Sequence, residues 1–288
     1  MDFQKLTRPG IFSYAAQRMI LKNPLRNGIA SMIASRRPAA NANKDPRTES
    51  AVKDLHENGI YMLPKYLSAA AIKDVRAAVD GMPLDERFSP YRKNLDLDSI
   101  PADTHVAEYR TEALLKSATV MNIANDPHLI AVASQYLGCK PTISNMSIWW
   151  SFPTGGKAQE AENYHRDVDD WRFVKFFLYL TDVDSGSGPH RFIRKSQKSN
   201  ALTNLKRLTD EEVAANFPAE DHLEITADAG DAFMEITFGI HKGQPPINKR
   251  RLLLQVEYSI NPVAVYNYNA ADIGAHAYDP YVNRLYIR

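Results

Sequence analysis

Two hydrophobic patterns divide this chain near Gly138. Before that residue, apolar positions recur at the three- and four-residue spacing of amphipathic helices. Ser68 can cap the stretch AAAIKDVRAAVD, and Asp126-Pro127 can start a second helix that ends at Gly138. We therefore predict a helical lead-in over residues 46–138.

After Gly138 the pattern changes to short runs of β-branched and aromatic residues, which are typical of strands. The runs are PTISNMSIWWSF, VKFFLYLTDV, LEITADAGDAFMEITF and RRLLLQVEYSI. One helical insert, LTDEEVAANF, has the capping-box spacing of Thr209 and Glu212. Helices followed by short strands predict a mainly β fold with flanking helices, a sandwich or barrel over residues 139–262. A Tyr- and Asn-rich tail, residues 263–288, would cover a pocket mouth or form a subunit contact.

The first 45 residues form a basic, amphipathic segment that we set apart from the domain at 46–288. From Met1 to Lys44 the only acidic residue is Asp2, against eight lysines and arginines. Apolar residues recur at helical spacing over residues 11–20, and RRPAANANKDPRTES has the composition of a linker. Three interpretations stay open: a helix packed on the domain, a peripheral membrane contact through residues 8–37, or a targeting peptide.

Composition excludes several classes of protein. Lysine plus arginine number 35 and aspartate plus glutamate 34, so no overall field attracts nucleic acid. The single cysteine, Cys139, excludes an internal disulfide and a cysteine-based zinc site. No apolar run approaches the roughly 20 residues of a membrane span, and no glycine-rich nucleotide-binding motif is present. We expect a cytoplasmic protein, with attachment to a membrane surface as the open alternative.

The stretch NYHRDVDDW contains the first candidate chemistry. In an extended segment, His165 and Asp167 project from the same side, where they can bind one metal ion. His241, in TFGIHKGQPP, is the candidate third ligand. Two histidines and one carboxylate form the ligand set of non-haem Fe(II) oxygenases, although the same set also suits zinc in a hydrolase.

A positively charged residue follows His241 at a spacing that could bring its side chain back to the metal site. Arg251 lies ten residues after His241, at the start of a predicted strand. If that strand is the antiparallel neighbour, its guanidinium can reach back beside the metal and bind a carboxylate with two hydrogen bonds. Arg250 faces the other way, and we favour Arg251 for this position.

Four blocks together resemble the phytanoyl-CoA dioxygenase family of Fe(II)/2-oxoglutarate-dependent oxygenases. They are YHRDVDDW, VKFFLYLTDVDSGSGP, AGDAFMEITFGIHKGQPP and RRLLLQVEYS, and they extend from residue 164 to 259. The resemblance implies a double-stranded β-helix, or jelly roll, with the metal at its mouth. It also implies that His165, Asp167 and His241 bind iron, and that Arg251 and Lys175 bind 2-oxoglutarate. One departure is GPHRFIRKSQKS, where many members have Pro-Gly-Ser-His.

The implied reaction uses O₂ and 2-oxoglutarate to hydroxylate a C–H bond of a small molecule, of lipid or sugar type, with release of succinate and CO₂. The carboxylate of Asp167 favours hydroxylation over halogenation, and desaturation or ring closure stays open. A jelly-roll binding protein without catalysis and a metal-dependent hydrolase are the rival functions. Neither needs a cation placed like Arg251.

Several further residues have less specific signals. Trp149 and Trp150 point to opposite sides of their strand, and we favour Trp150 for substrate contact. His190 is interpreted as a solvated histidine of a turn. His222 and Glu224 repeat the His-X-carboxylate spacing, but no family block supports a ligand role for them.

Overall fold

The computed structural model describes residues 10–40 and 45–288. Residues 1–9 and 41–44 of the basic segment, including Lys5, Arg8 and Lys44, lie outside the described part. In the described part, no helix combines the length and the apolar character that crossing a membrane requires.

The helices follow the sequence patterns closely. Ser68 caps the helix that begins at Ala69 by accepting a hydrogen bond from Ala71 N. Asp126 caps the helix that begins at Pro127 by accepting hydrogen bonds from His128 N and Leu129 N. Thr209 and Glu212 form the predicted capping box. The α-helices of the described residues are α1 (Ile11–Met19), α2 (Asn23–Ala34), α3 (Pro46–Asn58), α4 (Ala69–Val79), α5 (Thr111–Leu115), α6 (Ala118–Ala124), α7 (Pro127–Leu137) and α8 (Asp210–Asn216).

The strands form two antiparallel sheets. They are β1 (Ile60–Leu63), β2 (Leu84–Glu86), β3 (Val106–Tyr109), β4 (Thr142–Ser151), β5 (Phe173–Tyr179), β6 (His190–Ile193), β7 (His222–Ile225), β8 (Ala232–Glu235), β9 (His241–Gly243) and β10 (Arg251–Ser259). The major sheet has the order β1-β8-β5-β10-β4-β3-β2, and the minor sheet has the order β7-β6-β9. The mainly β architecture with flanking helices is therefore confirmed.

The predicted lead-in is not wholly helical, because β1, β2 and β3 join the major sheet from within residues 46–138. Both faces of that sheet are covered. Its outer face packs on the helices in the main hydrophobic core, which includes Leu55, Val132, Trp150 and Leu254. Its inner face looks toward the minor sheet across a cavity, and this arrangement places the site.

The N-terminal helices pack on the domain through apolar side chains that join the main core, among them Ala30 and Ala34, and through buried polar side chains. Gln17 and Arg26 are 1% and 2% exposed. Gln17 Nε2 donates to the carbonyl of Val168 at 3.2 Å, and Arg26 Nη2 donates to the carbonyl of Asp170. In the predicted apolar stripe, by contrast, Phe12 is 85% exposed. The helix pair is thus anchored by hydrogen bonds to the segment that follows Asp167.

Helical or buried structure is present in two segments whose composition indicated a linker and a covering tail. Helix α3 begins at Pro46, inside the predicted linker, because Asp45 caps it and proline suits the first helical turn. In the tail, Val282 and Tyr286 are buried in the main core, 1% and 5% exposed. Tyr266 lines the cavity between the sheets, so the tail reaches the candidate site.

Candidate active site

A cavity of about 380 Å³ lies between the inner face of the major sheet and the minor sheet. Alternate residues of β4, β5 and β10 line it, because side chains two apart share a face. Among them are Ser147, Trp149, Ser151, Lys175, Phe177, Arg251, Leu253 and Gln255, with His190 and His241 from the minor sheet and His165 and Asp167 from the preceding loop.

Backbone pairing brings the two predicted histidine ligands together. His165 N donates to His241 O and His241 N donates to His165 O, both at 3.0 Å, so the two residues form an antiparallel bridge. Asp167 N donates to Thr237 O at 2.8 Å, which continues the contact. Since directly paired residues place their side chains on one face, the bridge explains why residues 76 positions apart meet.

The imidazoles are oriented toward Asp167. His165 Nδ1 donates to the carbonyl of Asn163 at 2.9 Å, and His241 Nδ1 donates to the carbonyl of Gly239 at 3.0 Å. The tautomer with the proton on Nδ1 leaves Nε2 to bind a metal ion, and the two Nε2 atoms lie 3.3 and 3.4 Å from the Asp167 carboxylate. One ligand atom from each of the three residues lies within 4.8 Å of the other two, so the cluster can hold one metal ion.

Lys175 is engaged by acidic side chains. Its Nζ lies 2.7 Å from Asp167 Oδ2, 2.8 Å from Asp169 Oδ2 and 3.5 Å from Glu257 Oε2. Burial opposes each charge, but the Lys175 ammonium holds the pKa of Asp167 well below its usual value. The three carboxylates in turn hold the pKa of Lys175 well above its usual value, despite burial. The Lys175 ammonium therefore stabilises the charged form of Asp167 and fixes the position of its carboxylate.

Arg251 faces the cavity and is incompletely paired. It is 3% exposed, and its Nη2 donates to Ser151 Oγ at 3.2 Å. Its Nε and Nη1 are buried and have no hydrogen-bond partner among the described residues. Buried guanidinium donors without partners are costly, and a carboxylate bound in the cavity would accept hydrogen bonds from one edge of the guanidinium.

The neighbouring residues point the other way. Arg250 is exposed, and its guanidinium carbon lies 4.7 Å from the ring centroid of Trp150. Trp150 packs in the helix-side core, and its Nε1 donates to Tyr109 OH at 3.1 Å. Trp149 lines the cavity, whereas Trp150, the residue favoured from the sequence for substrate contact, is on the opposite face.

Sequence reasoning also missed a buried acid–histidine pair. His190 is 6% exposed and lines the cavity, so it is not the solvated residue that we expected. Its Nε2 lies 2.8 Å from Oε2 of Glu235, which is fully buried. Burial raises the pKa of Glu235 to about 8 and lowers that of His190. The sequence contained a signal for Glu235. Side chains two positions apart on a strand share a face, so Phe233 and Glu235 of β8 both lie on the inner face.

The second His-X-carboxylate pair lies elsewhere. Nε2 of His222 is 3.2 Å from the carbonyl of Phe217, and Glu224 pairs with Arg191 across β6 and β7. Neither belongs to the metal-ligand cluster found among the described residues.

A match to a family profile shows which protein family the chain belongs to. The profile of phytanoyl-CoA dioxygenase (PhyH) matches residues 55–239, more than half of the sequence. The chain belongs to the PhyH family. The matched region includes His165 and Asp167 and ends two residues before His241. As a PhyH protein, it is a 2-oxoglutarate-dependent, non-haem iron enzyme.

Solved structures share the fold of this PhyH protein. The carbocyclase SnoK of nogalamycin biosynthesis is 15% identical, with a TM-score of 0.53, over 77% of this chain and 86% of its own. HygX from Streptomyces hygroscopicus, with nickel and 2-oxoglutarate bound, is 15% identical, with a TM-score of 0.53, over 77% and 90%. The epimerase SnoN, in complex with Fe³⁺, α-ketoglutarate and nogalamycin RO, is 17% identical, with a TM-score of 0.52, over 74% and 84%.

At these identities the likeness concerns the fold, and it confirms the predicted jelly roll. No functionally curated protein matches the chain significantly.

Proposed function

We propose that this PhyH protein hydroxylates an unactivated C–H bond of a small molecule, with 2-oxoglutarate as cosubstrate. His165, Asp167 and His241 would hold Fe(II), and Arg251 would bind the far carboxylate of 2-oxoglutarate. One observation carries the proposal: the two-histidine, one-carboxylate cluster shares a cavity with a buried arginine that has two unpartnered donors.

The donor set fits the metal that the family uses. Both histidines donate Nδ1 to a backbone carbonyl, which orients Nε2 toward the metal position. Asp167 supplies the one negative charge. Three ligands on one side of an octahedral ion leave sites for a chelating cosubstrate and for O₂.

When bound, iron and 2-oxoglutarate supply the O₂ activation that converts 2-oxoglutarate to succinate and CO₂ while one oxygen atom enters the substrate C–H bond. The chain supplies binding and orientation. Arg251 anchors the cosubstrate, and the apolar side chains of Phe177 and Leu253 keep water away from it.

At the cavity mouth, Arg87 and Glu108 lie beside Trp149. Arg87 Nε donates to Glu108 Oε2 at 2.9 Å, and the guanidinium carbon lies 4.2 Å from the centroid of the Trp149 ring. All three residues line the cavity. We propose this trio, in place of Trp150, as the surface that meets the substrate.

The substrate is proposed to be a small molecule of lipid or sugar type. SnoN and SnoK are described as an epimerase and a carbocyclase, so the fold also supports outcomes other than hydroxylation. Hydroxylation is favoured because Asp167 is a carboxylate. The proposed location is the cytoplasm, where residues 8–37 would bring the enzyme to a membrane surface.

The test of this function needs no substrate. Metal-free protein is titrated anaerobically with Fe(II) and then with 2-oxoglutarate, while the visible iron-to-2-oxoglutarate charge-transfer band is monitored. We expect a band that requires both additions. Iron-loaded protein that gives no band with 2-oxoglutarate would overturn the proposal and favour a binding protein or a hydrolase.

Lys175 is proposed to orient Asp167 and not to contact 2-oxoglutarate, since its ammonium is shared by three carboxylates. Lys175→Met is therefore expected to weaken Fe(II) binding about 10- to 100-fold, as loss of a residue that supports a metal ligand does. Its 2-oxoglutarate affinity, measured at saturating iron, should change little. The reverse pattern would assign Lys175 to the cosubstrate, as the family resemblance implies.

The two tryptophans allow a paired prediction. Trp150→Ala should lower the free energy of unfolding by about 3–5 kcal/mol, because it empties part of the helix-side core. The 2-oxoglutarate affinity of the folded variant should stay within about twofold. Trp149→Ala should alter cosubstrate affinity by more than that. Denaturant melts and the band titration measure both quantities, and a larger cosubstrate effect at Trp150 would contradict the assignment.

A further inference from the structure

The N-terminal helices expose an unusual amount of apolar surface. Four of the nine large apolar side chains that are exposed in the described residues lie between positions 12 and 32. Phe12 and Met19 on α1 are 85% and 84% exposed, and Leu25 and Met32 on α2 are 58% and 50% exposed. Soluble surfaces normally scatter such residues singly.

These side chains form one stripe on each helix. Phe12 and Met19 are seven residues apart, as are Leu25 and Met32, so each pair lies on one helical face. The opposite faces are fixed to the domain at neighbouring carbonyls, those of Val168 and Asp170. Each apolar stripe is therefore on a different face of its helix from the side chain that anchors the helix to the domain.

The charges beside the stripes have a single sign. No aspartate or glutamate occurs from residue 3 to residue 44. Lys22, between the helices, and Arg36 and Arg37, after α2, are exposed. Since the whole chain has a net charge of only +1, this surface is locally cationic.

We propose that α1 and α2 dock on a bilayer containing anionic phospholipid. Phe12, Met19, Leu25 and Met32 enter the acyl boundary while Lys22, Arg36 and Arg37 lie at the headgroups, which is how basic amphipathic helices bind membranes. A second copy of the chain fits less well, because a two-fold contact would press identical cationic surfaces together. This inference does not rest on the proposed reaction.

The test uses the full chain and vesicles of two compositions, pure phosphatidylcholine and an equal mixture of phosphatidylcholine and phosphatidylglycerol. Co-sedimentation is measured at about 0.1 and 0.5 M NaCl, since screening shortens the reach of headgroup charge. We expect binding to the anionic vesicles only, and weaker binding at the higher salt.

Variants locate the surface. Phe12→Ser with Met19→Ser should weaken vesicle binding at least about tenfold, and Lys22→Glu with Arg36→Glu should do the same. Tyr91→Ser with Ile247→Ser is the matched control, because those side chains are 92% and 68% exposed elsewhere, and it should bind normally. The charge-transfer band and circular dichroism check that each variant is folded and that its site is intact.

Three results would overturn the proposal. The first is failure of the wild-type chain to sediment with anionic vesicles. The second is equal, salt-independent binding to both vesicle types. The third is a concentration-dependent dimer in light scattering that Phe12→Ser with Met19→Ser dissociates, because the stripes would then be covered by a second copy.

Discussion

Arg251→Ala is expected to weaken 2-oxoglutarate binding roughly 30-fold or more. Removing one partner of a buried, hydrogen-bonded charge pair costs about 2–5 kcal/mol, and each 1.4 kcal/mol is tenfold in affinity. The substituted residue is 3% exposed, with Nε and Nη1 unpartnered in the cavity. Anaerobic titration of the charge-transfer band at saturating Fe(II) measures the effect directly.

Arg250→Ala is the matched control for Arg251→Ala. The neighbouring guanidinium is exposed and stacks on Trp150, outside the cavity. Its removal should leave 2-oxoglutarate affinity within about twofold. Arg251→Lys should fall between the wild type and Arg251→Ala, because it keeps the charge but loses the planar fork. An effect at Arg250 that exceeds the effect at Arg251 would contradict the assigned cosubstrate site.

Asp167→Ala should weaken Fe(II) binding by at least about 100-fold, which is the upper range for loss of a residue that only supports a ligand. The substitution removes the one anionic donor of the cluster and leaves two neutral imidazoles. Competition with a chromophoric Fe(II) chelator under anaerobic conditions gives the affinity. The charge-transfer band should be absent at iron concentrations that saturate the wild-type protein.

Asp169→Asn is the control for Asp167→Ala. Asp169 shares the Lys175 ammonium, at 2.8 Å, but lies outside the metal-ligand cluster. Its variant should keep Fe(II) affinity within about tenfold, the lower range for a supporting residue. Tight iron binding in Asp167→Ala, or loss of iron binding in Asp169→Asn, would show that the cluster is wrongly assigned.

Local signals carried much of the fold prediction. The caps at Ser68, Asp126 and Thr209 gave helix starts that the structure confirms, because capping depends on residues three positions apart. The strands after Gly138 were similarly visible. The same rules missed the strands β1, β2 and β3, whose sheet partners come from distant parts of the chain.

Only those residues of the candidate site that follow a local spacing or a family motif could be predicted from the sequence. His165, Asp167 and His241 meet as the family resemblance implied. Which of Trp149 and Trp150 lines the cavity could not be read from polarity, because both faces of β4 are buried, one under helices and one along the cavity. The carboxylates around Lys175 converge from separate strands and loops, which no local pattern records.

The hydrogen bonds from the N-terminal helices to Val168 and Asp170 bear on what constitutes the functional unit. These carbonyls follow Asp167 by one and three residues, and Trp171 Nε1 also donates to Ser13 Oγ at 2.8 Å. A chain shortened to the family-matched region, from residue 55, would lose these three contacts and expose the loop that carries the proposed ligand Asp167 to water. Residues that precede the family match therefore form part of the packing around the candidate site.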